Sequence, residues 1–167
     1  MESLLPVIVG GIIGIAGGVI GPTLLEFFKR KIERENLTGA FIAEIDALLK
    51  IVERRRYVEE LESLILQAKS GIDRNASFSY QFSVRRNPFP VYDANLSKIG
   101  ILKAPLPQKI TQLYAQATSI LEDIEDMRDG KNIPRDTMES IERLETLLSL
   151  FKDTIDLGQE IVRLQAR

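Results

Sequence analysis

Apolar and polar positions along the chain fall into three regimes. Residues 3–25 contain no charged side chain, and their apolar run matches the roughly 20 residues that a helix needs to cross about 30 Å of hydrocarbon. From Lys29 the pattern turns helical: Phe41, Ile45, Leu48 and Val52, then Leu61, Leu64 and Ala68, step at three- and four-residue intervals within each run, without a proline up to Gly71. This predicts a long helix ending at Gly71, with a joint at Asn36 to Gly39 where Thr38 serves as N-cap. Between Gly71 and Asn95 the period changes to two. Phe78, Tyr80, Phe82 and Val84 alternate with Ser77, Ser79, Gln81, Ser83 and Arg85, which is a strand pattern. The prolines of the following NPFPVY stretch make a poor ladder partner. The segment 72–92 is therefore expected as an extended or β-like arm, which either tucks its apolar side chains into its own bundle or docks a partner.

Three further helices follow. Asp93 as N-cap and Gly100 as stop predict a short one. Pro107 opens a long one that buries Ile110, Leu113, Ala117, Leu121, Ile124 and Met127 and ends at Asp129-Gly130. The last starts near Pro134 or Asp136 and buries Met138, Ile141, Leu144, Leu148, Phe151, Ile155 and Val162. The expected fold is mainly α: one N-terminal transmembrane helix, then a helical bundle of three long helices and one short, with one extended arm. Its expected parts are an anchor at 1–28, a basic joint at 29–38 and a helical domain at 39–167.

Glycine spacing decides how the opening stretch is read. A phosphate-binding loop needs glycines two apart or a G-K-S/T ending, and residues 1–30 have neither. Gly10, Gly14 and Gly18 recur every four residues, and Gly17 and Gly21 repeat the step, forming the small-xxx-small stripe of a helix interface in lipid. Only Glu2 precedes the apolar run, whereas Lys29, Arg30, Lys31 and Arg34 follow it. The positive-inside rule then predicts an uncleaved single-pass anchor, N-terminus outside and the larger domain cytoplasmic. The expected partners are the lipid bilayer and further copies of the chain.

Composition narrows the chemistry. All 22 Lys and Arg lie beyond residue 28, and of the 24 acidic residues only Glu2 and Glu26 lie before it, so the domain is formally neutral and has no net field to recruit nucleic-acid polymers. Cysteine and histidine are both absent. That removes disulfides, the usual zinc sites and Ser-His or Cys-His nucleophiles. No catalytic residue, metal site or cofactor is expected.

The stretch FPVYDANLSKIGIL, followed by a helix carrying KITQLY, resembles a segment of uncharacterised bacterial single-pass membrane proteins with a helical cytoplasmic domain. The resemblance spans residues 89–114 and implies an inner-membrane protein. It assigns no functional residue.

Two charged constellations stand out. Arg54, Arg55 and Arg56 in mid-helix, with Arg74, Arg85 and Arg86 flanking the alternating stretch, form a candidate anion site, since the guanidinium fork binds two oxygens at once. The competing reading is a solvated face with ion pairs such as Arg55 with Glu59 and Arg56 with Glu60. Glu122, Asp123, Glu125, Asp126 and Asp129 crowd a helix C-terminus, where the dipole disfavours anions, and pairing with arginines of a neighbouring helix or subunit answers that better than a metal. The expected function is non-enzymatic. A homo-oligomerising membrane protein senses a ligand or partner through its helical domain, in its sharpest form an antiphage effector that responds to an anionic nucleotide and permeabilises the membrane, by analogy of layout. The alternative is a passive anchor or scaffold that tethers a cytoplasmic partner.

Overall fold

The computed structural model of the chain describes the backbone of residues 4–70, 88–129, 131 and 136–165, with side chains over the same residues except 4–20 and 165. Five α-helices account for nearly all of it: α1 (Leu4–Arg55), α2 (Tyr57–Ser70), α3 (Pro90–Asn95), α4 (Leu106–Arg128) and α5 (Thr137–Gln165), with a 3-10 turn at Leu96–Ile101 between α3 and α4. The chain divides into two compact units, Met1–Gly39 and Ala40–Arg167.

The transmembrane helix expected at 1–28 is corrected by this structure. Among the described residues, no helix is long and apolar enough to cross a membrane. Between Glu26 and Glu35 the helix carries Glu26, Lys29, Arg30, Lys31, Glu33, Arg34 and Glu35 within three turns. The single-pass topology and the inner-membrane placement fall with it. Gly10, Gly14, Gly17 and Gly18 belong to the part of α1 whose side chains lie outside the described residues. Gly21 is described, and a Cβ there would meet nothing within 4 Å.

Within Met1–Gly39, α1 is laced by exposed ion pairs one turn apart, Arg30 with Glu26 at 2.6 Å and Lys31 with Glu35 at 3.9 Å. The expected N-cap at Thr38 is a helix-interior residue instead. Its hydroxyl donates back to the Arg34 carbonyl at 2.8 Å, a bond that lets a hydroxyl side chain sit inside a helix.

In Ala40–Arg167 the expected single helix up to Gly71 is two. Arg56 takes a left-handed φ of 54°, its N–H closes a tight turn on the Glu53 carbonyl at 3.0 Å, and its own carbonyl accepts from Glu60 N–H at 3.0 Å to start α2. The extended arm is corrected at its C-terminal end, where Pro90 to Tyr92 begin α3 and Asp93 lies inside that helix, not at its cap. No strand occurs among the described residues; the alternating side chains of Phe78, Tyr80, Phe82 and Val84 lie outside them.

Cross-helix polar pairs set the directions. Lys69 meets Glu145 at 2.5 Å and Lys152 meets Glu62 at 2.7 Å, so α2 and α5 run antiparallel. Lys109 with Glu160 at 2.7 Å and Thr154 with Gln116 at 3.5 Å do the same for α4 and α5. Beneath these pairs Leu61 and Ile65 of α2, Ile120 and Ile124 of α4, and Leu144, Leu147 and Phe151 of α5 form one apolar core. The start of α5 is fixed by Asp136, whose carboxylate accepts from Glu139 N–H at 2.9 Å, satisfying a donor that the helix start leaves unpaired. The buried stripe of α5 departs from the expected one by single positions: Leu147 and Ile161 are buried where Leu148 and Val162 were expected, and Met138 is 66% exposed. On α4, Ile120 joins Ile124 inside, and Met127 in the last turn is 44% exposed.

Candidate functional site

Two places in Ala40–Arg167 concentrate chemistry, one at each end of the α1 segment that packs on α4. The first is a clasp built on Glu44. Its carboxylate accepts from Val91 N–H at 2.7 Å and Tyr92 N–H at 3.1 Å, in the first turn of α3, and from the Tyr114 hydroxyl at 2.5 Å. The Phe89 end of α3 has no side-chain cap of its own, so Glu44 supplies the acceptor that those N–H groups need. Tyr92 stacks on Tyr114 with centroids 4.0 Å apart and planes 17° from parallel, and Phe89 meets Tyr114 edge-on at 5.2 Å. Phe41 packs against both tyrosines at 6.3 and 6.5 Å. Burial pushes the Tyr114 hydroxyl well above the usual tyrosine range, and its hydrogen bond to Glu44 and the negative charge of that carboxylate push the same way. A phenol so held keeps its proton, and three donors occupy the carboxylate. The chemistry of this cluster is to fasten α3 to α1 and α4.

The second place is a cavity of about 330 Å³ beside the break at Arg56. Its walls are aliphatic and aromatic, among them Leu48 and Val52 of α1, Ala117 and Leu121 of α4, and Phe151 and Ile155 of α5. Residues with polar side chains are few in the lining: Thr154, Tyr57, Arg54 and Arg55. The Arg55 guanidinium donates to the Tyr57 hydroxyl at 2.9 Å across the left-handed turn. Both arginines sit in the last turn of α1, where the carbonyl end of the helix dipole favours cations.

The structure thus brings together two of the arginines singled out in the sequence, Arg54 and Arg55. Arg56 occupies the turn beside them and pairs with Glu59 at 3.9 Å instead of the expected Glu60. Arg74, Arg85 and Arg86 lie outside the described residues. The acidic cluster finds its cations locally: Arg128 and Lys131 both reach Asp129, at 3.0 and 3.3 Å, and Lys131 reaches Asp126 at 3.7 Å. The hydrogen bond from Arg128, then that from Lys131, hold the Asp129 carboxyl below the usual carboxylate range. No group of acidic, histidine or cysteine side chains suited to a metal ion occurs among the described residues.

Sequence reasoning missed Glu44, Tyr114 and Gly158. Gly158 is buried in mid-helix, and a Cβ there would stand 3.1 Å from a methyl of Leu49 and 3.2 Å from one of Leu113, so its absence is what lets α5 approach α1 and α4. A lone glycine inside a strong helical pattern was the available signal. Glu44 and Tyr114 offered none, since each looks like an ordinary helix residue until the partner arrives from another element.

Comparison with known proteins returned no match to a protein-family model, a curated protein or a solved structure.

Proposed function

We propose that Ala40–Arg167 is a non-enzymatic sensing module that binds a small, largely apolar ligand in the cavity between α1, α4 and α5. One observation carries this reading: a recess of about 330 Å³ between the helices, lined mainly by apolar side chains and half open to solvent. Its lining leaves apolar surface in contact with water, which an apolar ligand would cover, and its volume matches the lower end of the range of small-molecule sites. An anionic nucleotide suits these walls poorly, because aliphatic side chains would leave the polar edge of a base unpaired.

The test is the thermal stability of the full chain against a panel of apolar and amphipathic compounds. A ligand at a hundred times its Kd should add about 2.7 kcal/mol. Ala117→Phe, which fills the cavity, should abolish the gain. A panel without any stabilising compound would sink the reading.

A second reading concerns Met1–Gly39. Leu24, Leu25, Phe28 and Ile32 are each about half exposed and fall on one helical face at three- and four-residue spacing. Such a patch favours self-association through this unit. Light scattering on the full chain and on Phe28→Glu tests it: a mass that does not fall in the variant counts against this face.

A further inference from the structure

The chemistry of the cavity's rim narrows the ligand class, and the inference rests on the sensing reading above. We propose that the cavity takes the hydrocarbon chain of a long-chain carboxylate, whose head group is held at the rim by Arg54 and Arg55.

Three features of the site converge on that ligand. The walls offered by Leu48, Leu49, Val52, Leu121 and Ile124 are aliphatic, so they reward methylene groups and leave no partner for a polar body. The volume of about 330 Å³ stands near the bottom of the ligand-site range, which suits one chain and not two. Arg54 and Arg55 belong to the lining and both are exposed to solvent, so a carboxylate can meet a guanidinium group without leaving water. The Arg55 hydrogen bond to Tyr57 holds one of those guanidinium groups beside the opening before any ligand arrives, which reduces the ordering that binding requires. Orientation follows from desolvation: burying the head among aliphatic side chains would strand a charge, so the chain enters and the head stays at the arginines.

Calorimetric titration of the full chain below micelle-forming concentrations tests the assignment, with dodecanoate, dodecanol and octanoate as probes. Dodecanoate is expected to bind about tenfold more tightly than dodecanol, the effect of a charge-assisted hydrogen bond at an exposed rim. Octanoate is expected to bind more weakly than dodecanoate, by up to roughly fourfold per methylene removed. In the double variant Arg54→Gln, Arg55→Gln the preference for the carboxylate over dodecanol should vanish, and a helical circular-dichroism spectrum with an unchanged urea midpoint reports that the variant is folded. Equal affinity of dodecanoate and dodecanol for the native chain, or a preference that survives in the double variant, overturns the head-group assignment and leaves the cavity reading standing. If neither probe binds, both are overturned.

Discussion

The two ends of the α1–α4 contact are built from the same pair of helices and reach opposite outcomes. At the Glu44 end, Phe41, Phe89, Tyr92 and Tyr114 fill the space with interlocked rings, and the hydrogen-bonding groups of the clasp are paired. At the Arg56 end, the chain leaves α1 through a left-handed residue, and a cavity with aliphatic and aromatic walls remains between the helices. The difference teaches where rigidity is concentrated. A third element, α3, is pinned into the first end by the Glu44 carboxylate, whereas at the second the residues leading into α3, Pro88 and Phe89, line the cavity without filling it. Amphipathic helices make such a bundle possible, but whether a gap between them closes depends on what else is delivered to it.

Removing the ring at the centre of the clasp is the strongest way to break this contrast. Tyr114→Ala should lower stability by about 3–5 kcal/mol, the usual cost of deleting a buried aromatic, as read from urea denaturation. An aliphatic addition at the cavity end, Ala117→Leu, should change it far less. Equal losses would mean that the two ends are equally packed.

Next in size is the contact that sets helix spacing. Gly158→Leu drives a side chain into Leu49 and Leu113 and should cost about 1–3 kcal/mol through overpacking. Gly158→Ala should cost less, because the gain in helix propensity, about 1 kcal/mol, offsets part of the crowding.

The clasp also predicts a pH response with a definite sign. The folded state holds the Tyr114 hydroxyl protonated well above its ordinary range, so the unfolded chain loses that proton first, near pH 10. The stabilisation is fully present below that pH and is lost as the pH rises above it. Tyr114→Phe should show a flatter decline in stability through the alkaline range in parallel denaturation series. An unchanged slope would remove Tyr114 as its source.

The smallest expected effect lies at the break. A left-handed Arg56 costs on the order of 1–2 kcal/mol, which glycine avoids while losing more chain entropy on folding. Arg56→Gly should therefore be neutral or stabilising by up to about 1 kcal/mol in the same assay. A clear loss would show that the side chain of Arg56, through Glu59, contributes more than the turn costs.

Sequence by itself determined the local matters. Helix periodicity placed α4 and α5 within a few residues, because a buried stripe at three- and four-residue spacing leaves the chain few alternatives. Asp136 was legible as a helix start, because a side-chain acceptor three residues before a free N–H is local chemistry. The apolar run at 3–25 was legible as apolar, but the membrane span inferred from it did not hold, since no helix among the described residues is long and apolar enough to cross a membrane. Tertiary structure alone decided the rest. Nothing in ERRRYVEE marks Arg56 as the place where a helix ends, because the stretch has no glycine or proline, and the left-handed turn occurs where Tyr57 packs on Phe151 and α2 lies along α5. Glu44 becomes a clasp only when α3 arrives from 47 residues away and Tyr114 from 70. Contacts that distant leave no period in the sequence, and a cavity, being the space that side chains fail to fill, is a property of their arrangement in three dimensions.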